Sequence, residues 1–452
     1  MRRVSDVKEK GLMSSGTIWK QILFFSIPLL LGNLFQQLYN TVDSMVVGNY
    51  IGANALAAVG SSNPIINLLV SFFMGLSTGA GVIISRYYGA KDKENLHRSI
   101  HTAIALTLVA GIILTILGLI FSPFILKWSG VPSTIMEDAV LYLRIYFGGV
   151  LAVTLYNMAA GILQAVGDSK NPLYFLMISS ILNIGLDLLF VVEFKMGIAG
   201  VAWATLIAQV CSAILIMILL LKTKESYQLV IKDIKIDFEL FKKMIRLGLP
   251  SGIQNGIISF SNLIVQVNIN SFGSYAMAGT SAYIKIDGFI ILPIMSFAMA
   301  ITTFTGQNMG AQEYERVKQG IKTCLKMACV TILIGSLVVW LLGDNLIRIF
   351  SKDERVIYYG LTMMKVLLPG YLFLSISHVL SGVLRGAGIT MVPMIIMVAN
   401  WCILRILWIY MAMPFFHNIA VVFAGYPITW IASTICIYWY FKKGNWLHKY
   451  SL

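Results

Sequence analysis

Runs of about twenty apolar residues recur along the whole chain, separated by short segments of glycine, proline and charged residues. They predict about twelve membrane-spanning helices, over residues 18–47, 56–87, 99–126, 134–166, 172–192, 197–221, 244–272, 276–309, 320–349, 356–386, 393–415 and 420–441. Both sides of each run are apolar, whereas a β-barrel strand would alternate apolar with polar positions. The pattern therefore predicts an all-α polytopic membrane protein.

Composition agrees, with 58% hydrophobic and 12% charged residues and a mean hydropathy of +0.80. The net charge of +14 raises the question of nucleic acid, but the basic residues sit at segment ends and in short loops and form no basic face. Instead they report topology. About 25 of the 34 Lys and Arg residues fall in the amino terminus, the even-numbered loops and the carboxyl terminus, which places both termini in the cytoplasm. No short apolar core with a cleavage site opens the chain, so no signal peptide is expected. The five cysteines lie in apolar runs without a CxxC pair, so no disulfide framework or metal site is expected from them.

The pattern also repeats at an offset of about 221 residues. Asn49, Gly52 and Ala55 match Asn270, Gly273 and Ala276; Gly89, Ala90 and Glu94 match Gly310, Ala311 and Glu315; Gly161, Gly167 and Pro172 match Gly382, Gly388 and Pro393. Two six-helix lobes follow, 18–221 and 244–441, with a cytoplasmic tail at 1–17, a charged linker at 222–243 and a second tail at 442–452. Six is even, so the repeat is parallel, and a central cavity between the lobes is expected. The linker reads as an amphipathic, solvated connection lying at the membrane surface.

Against this apolar background the polar residues stand out. Gln36, Tyr39, Asn40 and Asp43 fall at i, i+3, i+4 and i+7, one stripe of the first span. Asn183 and Asp187 share a face of the fifth span, and Thr205 and Gln209 one of the sixth. Two carboxylates with amide and hydroxyl oxygens suit a proton or a hard alkali cation, not the thiolate or imidazole chemistry of transition metals. Their other reading is hydrogen bonding between helices. Tyr142, Tyr146, Asn157 and Gln164 return to one face of the fourth span, where aromatic rings beside a carboxylate can hold an organic cation or anchor the helix at the interface.

The second half is no chemical copy. The position matching Asp43 is Ile264 or Val265, while Gln254, Asn255, Asn262, Gln266 and Asn268 make the seventh span polar without an acid. Lys285 and Asp287 in the eighth span and Arg405 in the eleventh either pair structurally or line a cavity in the carboxyl lobe. Pro28 and Pro250 sit at equivalent places in the first and seventh spans, where kinks are expected. Of five histidines only His378 is expected deep in a span.

These residues resemble the multidrug and toxic compound extrusion (MATE) family over essentially all twelve spans. The resemblance is carried by Pro28, the segment Gln36 to Asp43, Gly52, Ala57, the loop residues Arg86 to Ala90, and their counterpart Gln307 to Ala311 after Thr302 to Gly306. It implies two lobes around a central cavity and export of organic cations or amphipathic compounds in exchange for H⁺ or Na⁺. It also implies a cation site at Asp43, Asn183, Asp187 and Thr205 and a substrate lining at Gln36, Tyr39, Tyr142 and Asn157. Some bacterial members use acids in the seventh and tenth spans, which this chain lacks.

The resulting expectation is a cation-coupled antiporter working by alternating access, multi-pass in the plasma or inner membrane. Its expected partners are small molecules and the lipid bilayer, with no nucleic acid and no cofactor beyond the coupling ion, and it is expected to act as a monomer. A flippase for lipids or lipid-linked saccharides is the alternative, kept open by Lys285, Arg385 and Arg405. An intramembrane enzyme lacks its motifs.

Overall fold

The computed structural model describes residues 11–444 and 446–447; the parts of the expected tails at 1–10, 445 and 448–452 lie outside the described residues. Among the described residues there are helices and no strands. In order they are α1 (Ile18–Val46), α2 (Ala53–Gly89), α3 (Lys93–Trp128), α4 (Ser133–Gly148), α5 (Val150–Ala165), α6 (Lys170–Asp187), α7 (Gly197–Lys222), α8 (Phe238–Asn270), α9 (Ser274–Gly310), α10 (Tyr314–Arg348), α11 (Glu354–Leu367), α12 (Tyr371–Gly386), α13 (Met391–Val398), α14 (Arg405–Ala412) and α15 (Ile419–Lys443).

Among the described residues ten helical stretches are long and apolar enough to cross a membrane, and the pair α4 and α5, bent by 48°, makes an eleventh. The remaining stretch of the expected twelve is α8. It has 33 residues, ample length for a span, but four charged residues in its first turns and its row of Gln and Asn side chains lower its hydropathy. On α10, Leu333, Ile334, Leu337 and Leu341 turn outward, and Ile112, Ile113, Ile116 and Ile120 do so on α3. Such apolar exteriors suit a lipid solvent.

The sequence repeat is a repeat of backbone. Helices start at residues 53, 93, 133, 150 and 170 in the first half and at 274, 314, 354, 371 and 391 in the second, a constant offset of about 221. The turns repeat as well: Lys91 (φ 57°) pairs with Gln312 (φ 60°), and Gly52 (φ 120°) with Gly273 (φ 92°). Gly52 and Gly273 each precede a 37-residue helix with ψ at 178°, a conformation that a side chain strains severely.

The chain divides into two compact units. One contains residues 31–252 with residues 11 and 12, and the other contains 13–30 and 253 onward. The units therefore do not follow the repeat boundary alone: α1 contributes its start to the second unit and its end to the first, and α8 does the reverse. Within the first unit, the start of α8 crosses α2 at glycines. A Cβ on Gly75 would lie 2.3 Å from the Gly252 nitrogen, and one on Gly79 would lie 2.6 Å from the Gly248 Cα. These are two small-xxx-small pairs that let backbones touch.

The linker is solvated over only part of its length. Tyr227 and Leu229 are buried in the core formed by α2, α3, α5 and α7, and the Tyr227 ring packs edge-on against Tyr88 at 6.4 Å. The Val230 amide donates to His101 Nε2 at 2.9 Å and the Asp237 amide to Thr102 Oγ1 at 3.2 Å. The apolar residues of this charged stretch have a partner surface on the first unit, and burying them there offsets the ordering of the segment. In the second unit the residues before α1 are held similarly: the Met13 amide donates to Gln307 Oε1 at 2.7 Å, and Arg316 Nε donates to the Met13 carbonyl at 3.1 Å.

Candidate functional site

Asp43 lies one turn from the end of α1, Asn183 and Asp187 on the last turns of α6, and Thr205 and Gln209 in the first half of α7. Helices α6 and α7 pack side by side and are joined by the Ser179 hydroxyl, which donates to the Ala208 carbonyl at 2.7 Å. That packing turns the i, i+4 pairs of both helices towards each other. Asn183 is 2% exposed and Asp187 fully buried.

Tyr39, Ser179, Ser180, Asn183, Thr205 and Gln209 surround a cavity of about 10 Å³, room for one water molecule or small ion. The Asp43 and Asp187 carboxyls lie close enough to interact directly, and Tyr39 lies against Gln36, Asp43 and Gln209. Tyr142 faces the same charges, with Tyr146 beside it. It is 5% exposed and packs in the core with Ala139, Leu143 and Phe147, so it is not a ring in an interfacial belt.

Ser179 and Ser180 bond to backbone carbonyls, but the ion-ligand candidates do not. Asp43 Oδ1, both carboxylate oxygens of Asp187, both amide atoms of Asn183 and the Thr205 hydroxyl are buried without a hydrogen bond to any described residue. An unsatisfied buried polar group costs about 1–3 kcal/mol, and buried charges are ordinarily paired or hold an ion. The arrangement thus offers five oxygens, one of them from an alcohol, one from an amide and three from carboxylates, to a small cation or a proton.

Asn157 is not drawn into this cluster by any contact. Its side-chain amide donates to the Val153 carbonyl one turn back at 2.9 Å, and its own carbonyl accepts from Ser77 Oγ. The neighbouring Tyr156, which the sequence reading passes over, lies near Tyr39 with its hydroxyl donating to the Pro172 carbonyl at 2.9 Å.

Two local features at the site have no sequence signal. Residues Val47–Ile51 and Leu188–Glu193 form π-helical turns directly after α1 and α6, and the two segments touch. Such turns break the i to i−4 ladder and recur at functional sites. A third, Ala399–Leu404, leads into Arg405.

In the second unit the ionisable residues have separate partners. Lys285 is exposed and sits over the Phe350 ring at 5.3 Å, while Asp287 accepts a hydrogen bond from the Tyr371 hydroxyl, itself 3.0 Å from that of Tyr283. The two do not pair, as their i, i+2 spacing requires. Arg405 is 1% exposed. It donates to Asn262 Oδ1 at 3.0 Å and Thr429 Oγ1 at 3.2 Å, and lies over Tyr426 at 4.4 Å. His378 is buried beside Trp401.

The chain as a whole resembles known proteins. The MatE family model matches residues 28–189 and again 250–431, once per repeat. The chain is 29% identical over 441 residues to the probable multidrug resistance protein YoeA of Bacillus subtilis, covering 95% of this chain and 94% of that one. It is 24% identical over 375 residues to the multidrug export protein MepA of Staphylococcus aureus, with 82% of each covered. Among solved structures, an outward-facing multidrug resistance MATE family transporter of the MOP superfamily superposes with a TM-score of 0.90 at 24% identity, covering 98% of this chain and 99% of that one. Its likeness is one of fold, and the fold is the twelve-helix one that the hydropathy and the repeat predict. The chain belongs to the MatE family, the multidrug and toxic compound extrusion transporters.

Proposed function

We propose that this chain is a secondary active exporter of organic cations and amphipathic compounds, driven by inward movement of H⁺ or Na⁺ through exchange at Asp43, Asn183, Asp187 and Thr205. The observation that carries this reading is the set of unpartnered buried oxygens on those four residues. A fold does not keep so many unsatisfied atoms for stability alone. With H⁺ or Na⁺ at the site its negative charge falls by one, and cationic cargo is held less tightly there. When the ion leaves, the charges favour a cation, with Tyr39 and Tyr142 providing aromatic surface. Mutual exclusion at one pair of carboxylates couples the two fluxes, and each charge moved through 100 mV contributes about 2.3 kcal/mol.

Of the three cations behind the flippase reading, Lys285, Arg385 and Arg405, the last is engaged internally by Asn262, Thr429 and Tyr426.

The test is ethidium export from proteoliposomes under separately imposed pH and sodium gradients. One gradient should drive export, and Asp43→Asn should abolish that drive while the protein still inserts and elutes as a single species. Gradient-driven export at the normal rate by Asp43→Asn would refute the assignment.

A further inference from the structure

A cluster unrelated to the ion site lies where the linker meets α3. His97 and His101 are one turn apart on the first turns of α3, and Asp233 ends the 3₁₀ turn Ile231–Asp233. His97 Nε2 lies 3.1 Å from Asp233 Oδ2. The two imidazole rings are 3.8 Å apart, and one donor atom from each of the three residues lies within 4.8 Å of the other two. His101 Nδ1 is 2.6 Å from the His97 carbonyl. A carbonyl only accepts, so that contact places the proton on Nδ1 and leaves a lone pair on Nε2, which accepts from the Val230 amide of the linker; a ring held in this way through its other nitrogen is oriented as a metal-binding histidine is.

We propose that His97, His101 and Asp233 bind one divalent transition-metal ion, Zn²⁺ above all, which fastens the linker to α3. The donors are two imidazole nitrogens and one carboxylate oxygen, a set suited to Zn²⁺ and not to Mg²⁺ or Ca²⁺. On a tetrahedral ion two such donors stand about 3.3 Å apart, close to the present separation of His97 and Asp233. The third must close in from at most 4.8 Å, which side-chain rotation supplies. The site opens on a cleft of about 260 Å³, and the His97 and Asp233 side chains are 36% and 52% exposed, so an ion has a path in.

Two neighbours set the strength. Arg98 is already paired with Asp237, but Lys235 lines the same cleft and opposes a cation. Binding also displaces the Val230 amide from His101 Nε2. Both lower the affinity relative to a closed structural zinc site, and the fourth position is left to water.

The experiment uses the full chain in detergent near neutral pH, with Zn²⁺ alone titrated calorimetrically and Co²⁺ absorption reporting the ligand set. One equivalent should bind, and Asp233→Asn and His97→Gln should each weaken binding at least tenfold. Zn²⁺ should also slow tryptic cleavage at Lys232 and Lys235 in the wild type but not in Asp233→Asn. Equal Zn²⁺ affinity in wild type and Asp233→Asn, or cleavage indifferent to Zn²⁺, overturns the proposal. If His97→Gln does not fold, Asp233→Asn decides alone, since its side chain is half exposed and its replacement nearly isosteric. Ethidium export should survive Asp233→Asn, which separates this site from the coupling site.

Discussion

Replacing Asp187 separates a coupling carboxylate from a structural one, because the two roles predict opposite changes in stability. Asp187 is fully buried and neither of its oxygens has a hydrogen bond to a described residue. A carboxylate that welds helices would cost about 3–5 kcal/mol when removed, as broken buried pairs do. A carboxylate held ready for an ion contributes a penalty instead. At about 1–3 kcal/mol per unsatisfied group, two orphaned oxygens cost about 2–6 kcal/mol, with the lower end applying once water enters the cavity beside them.

Asp187→Leu should therefore stabilise the ion-free protein by about 2 kcal/mol, and Asp187→Asn by less, since the amide retains polar atoms. For a unit of this size that is a rise in Tm of about 4–8 °C. Intrinsic-fluorescence melting in detergent measures it, with and without Na⁺. The wild type should gain about 2.7 kcal/mol at an ion concentration 100 times its Kd, whether the ion is Na⁺ or, at lower pH, H⁺, and both variants should lose that gain along with driven export. Destabilisation of Asp187→Asn by more than 2 kcal/mol with driven export intact would refute the reasoning.

Three further outcomes follow from the fold. Gly79→Leu places a side chain where a Cβ already meets Gly248 at 2.6 Å, so it should prevent stable folding, read as loss of monodisperse protein on size exclusion. Gly52→Ala and Gly273→Ala, at φ of 120° and 92°, should each cost about 1–3 kcal/mol in a denaturation midpoint, whereas Gly335→Ala on α10, which meets nothing, should be neutral or stabilising. Asp92 caps α3 by accepting from the Asn95 amide at 3.1 Å, and the Asn95 side chain and amide hold its carboxyl below the usual range. A depressed folded pKa means the cap is at full strength above about pH 4 and fades as pH falls through the lowered value. Asp92→Ala should then cost about 1 kcal/mol at neutral pH and progressively less on acidification, as followed by hydrogen exchange at the start of α3.

Much of the fold is legible in the chain because lipid leaves few options: every span must satisfy its own backbone, so apolar length alone places most helices. The repeat was equally visible, and the structure adds its cause at Gly52 and Gly273, where both halves need the same φ. The polar stripe on α1 and the pairs on α6 and α7 could be read from spacing, and they converge with Tyr142. What spacing does not carry is which helices share a wall, and the hydrogen bonds of Asn157 to Val153 and Ser77 are visible only in the structure. The glycine crossing had a signal in Gly75, Gly79, Gly248 and Gly252, but it becomes specific only when two such pairs face each other. The linker looked solvated because its charges dominate its composition, while Tyr227 and Leu229 decide where it sits.

The π-helical turns show why repeating a backbone does not repeat its chemistry. Two of them follow Asp43 and Asp187 closely, and the third immediately precedes Arg405. Yet in repeat register they do not correspond: Ala399–Leu404 falls in the middle of its span, while Leu188–Glu193 ends the equivalent one. A π turn adds a residue to one turn of helix and rotates everything beyond it. In the first unit this occurs just past the acids, whose orientation it leaves unchanged while it redirects Val47–Ile51 and Leu188–Glu193 towards each other. In the second it occurs just before Arg405, whose guanidinium reaches Asn262, Thr429 and Tyr426. One half holds buried carboxylates beside a cavity and the other engages its buried guanidinium internally, so the shared fold supplies the frame and the side chains set within it differ.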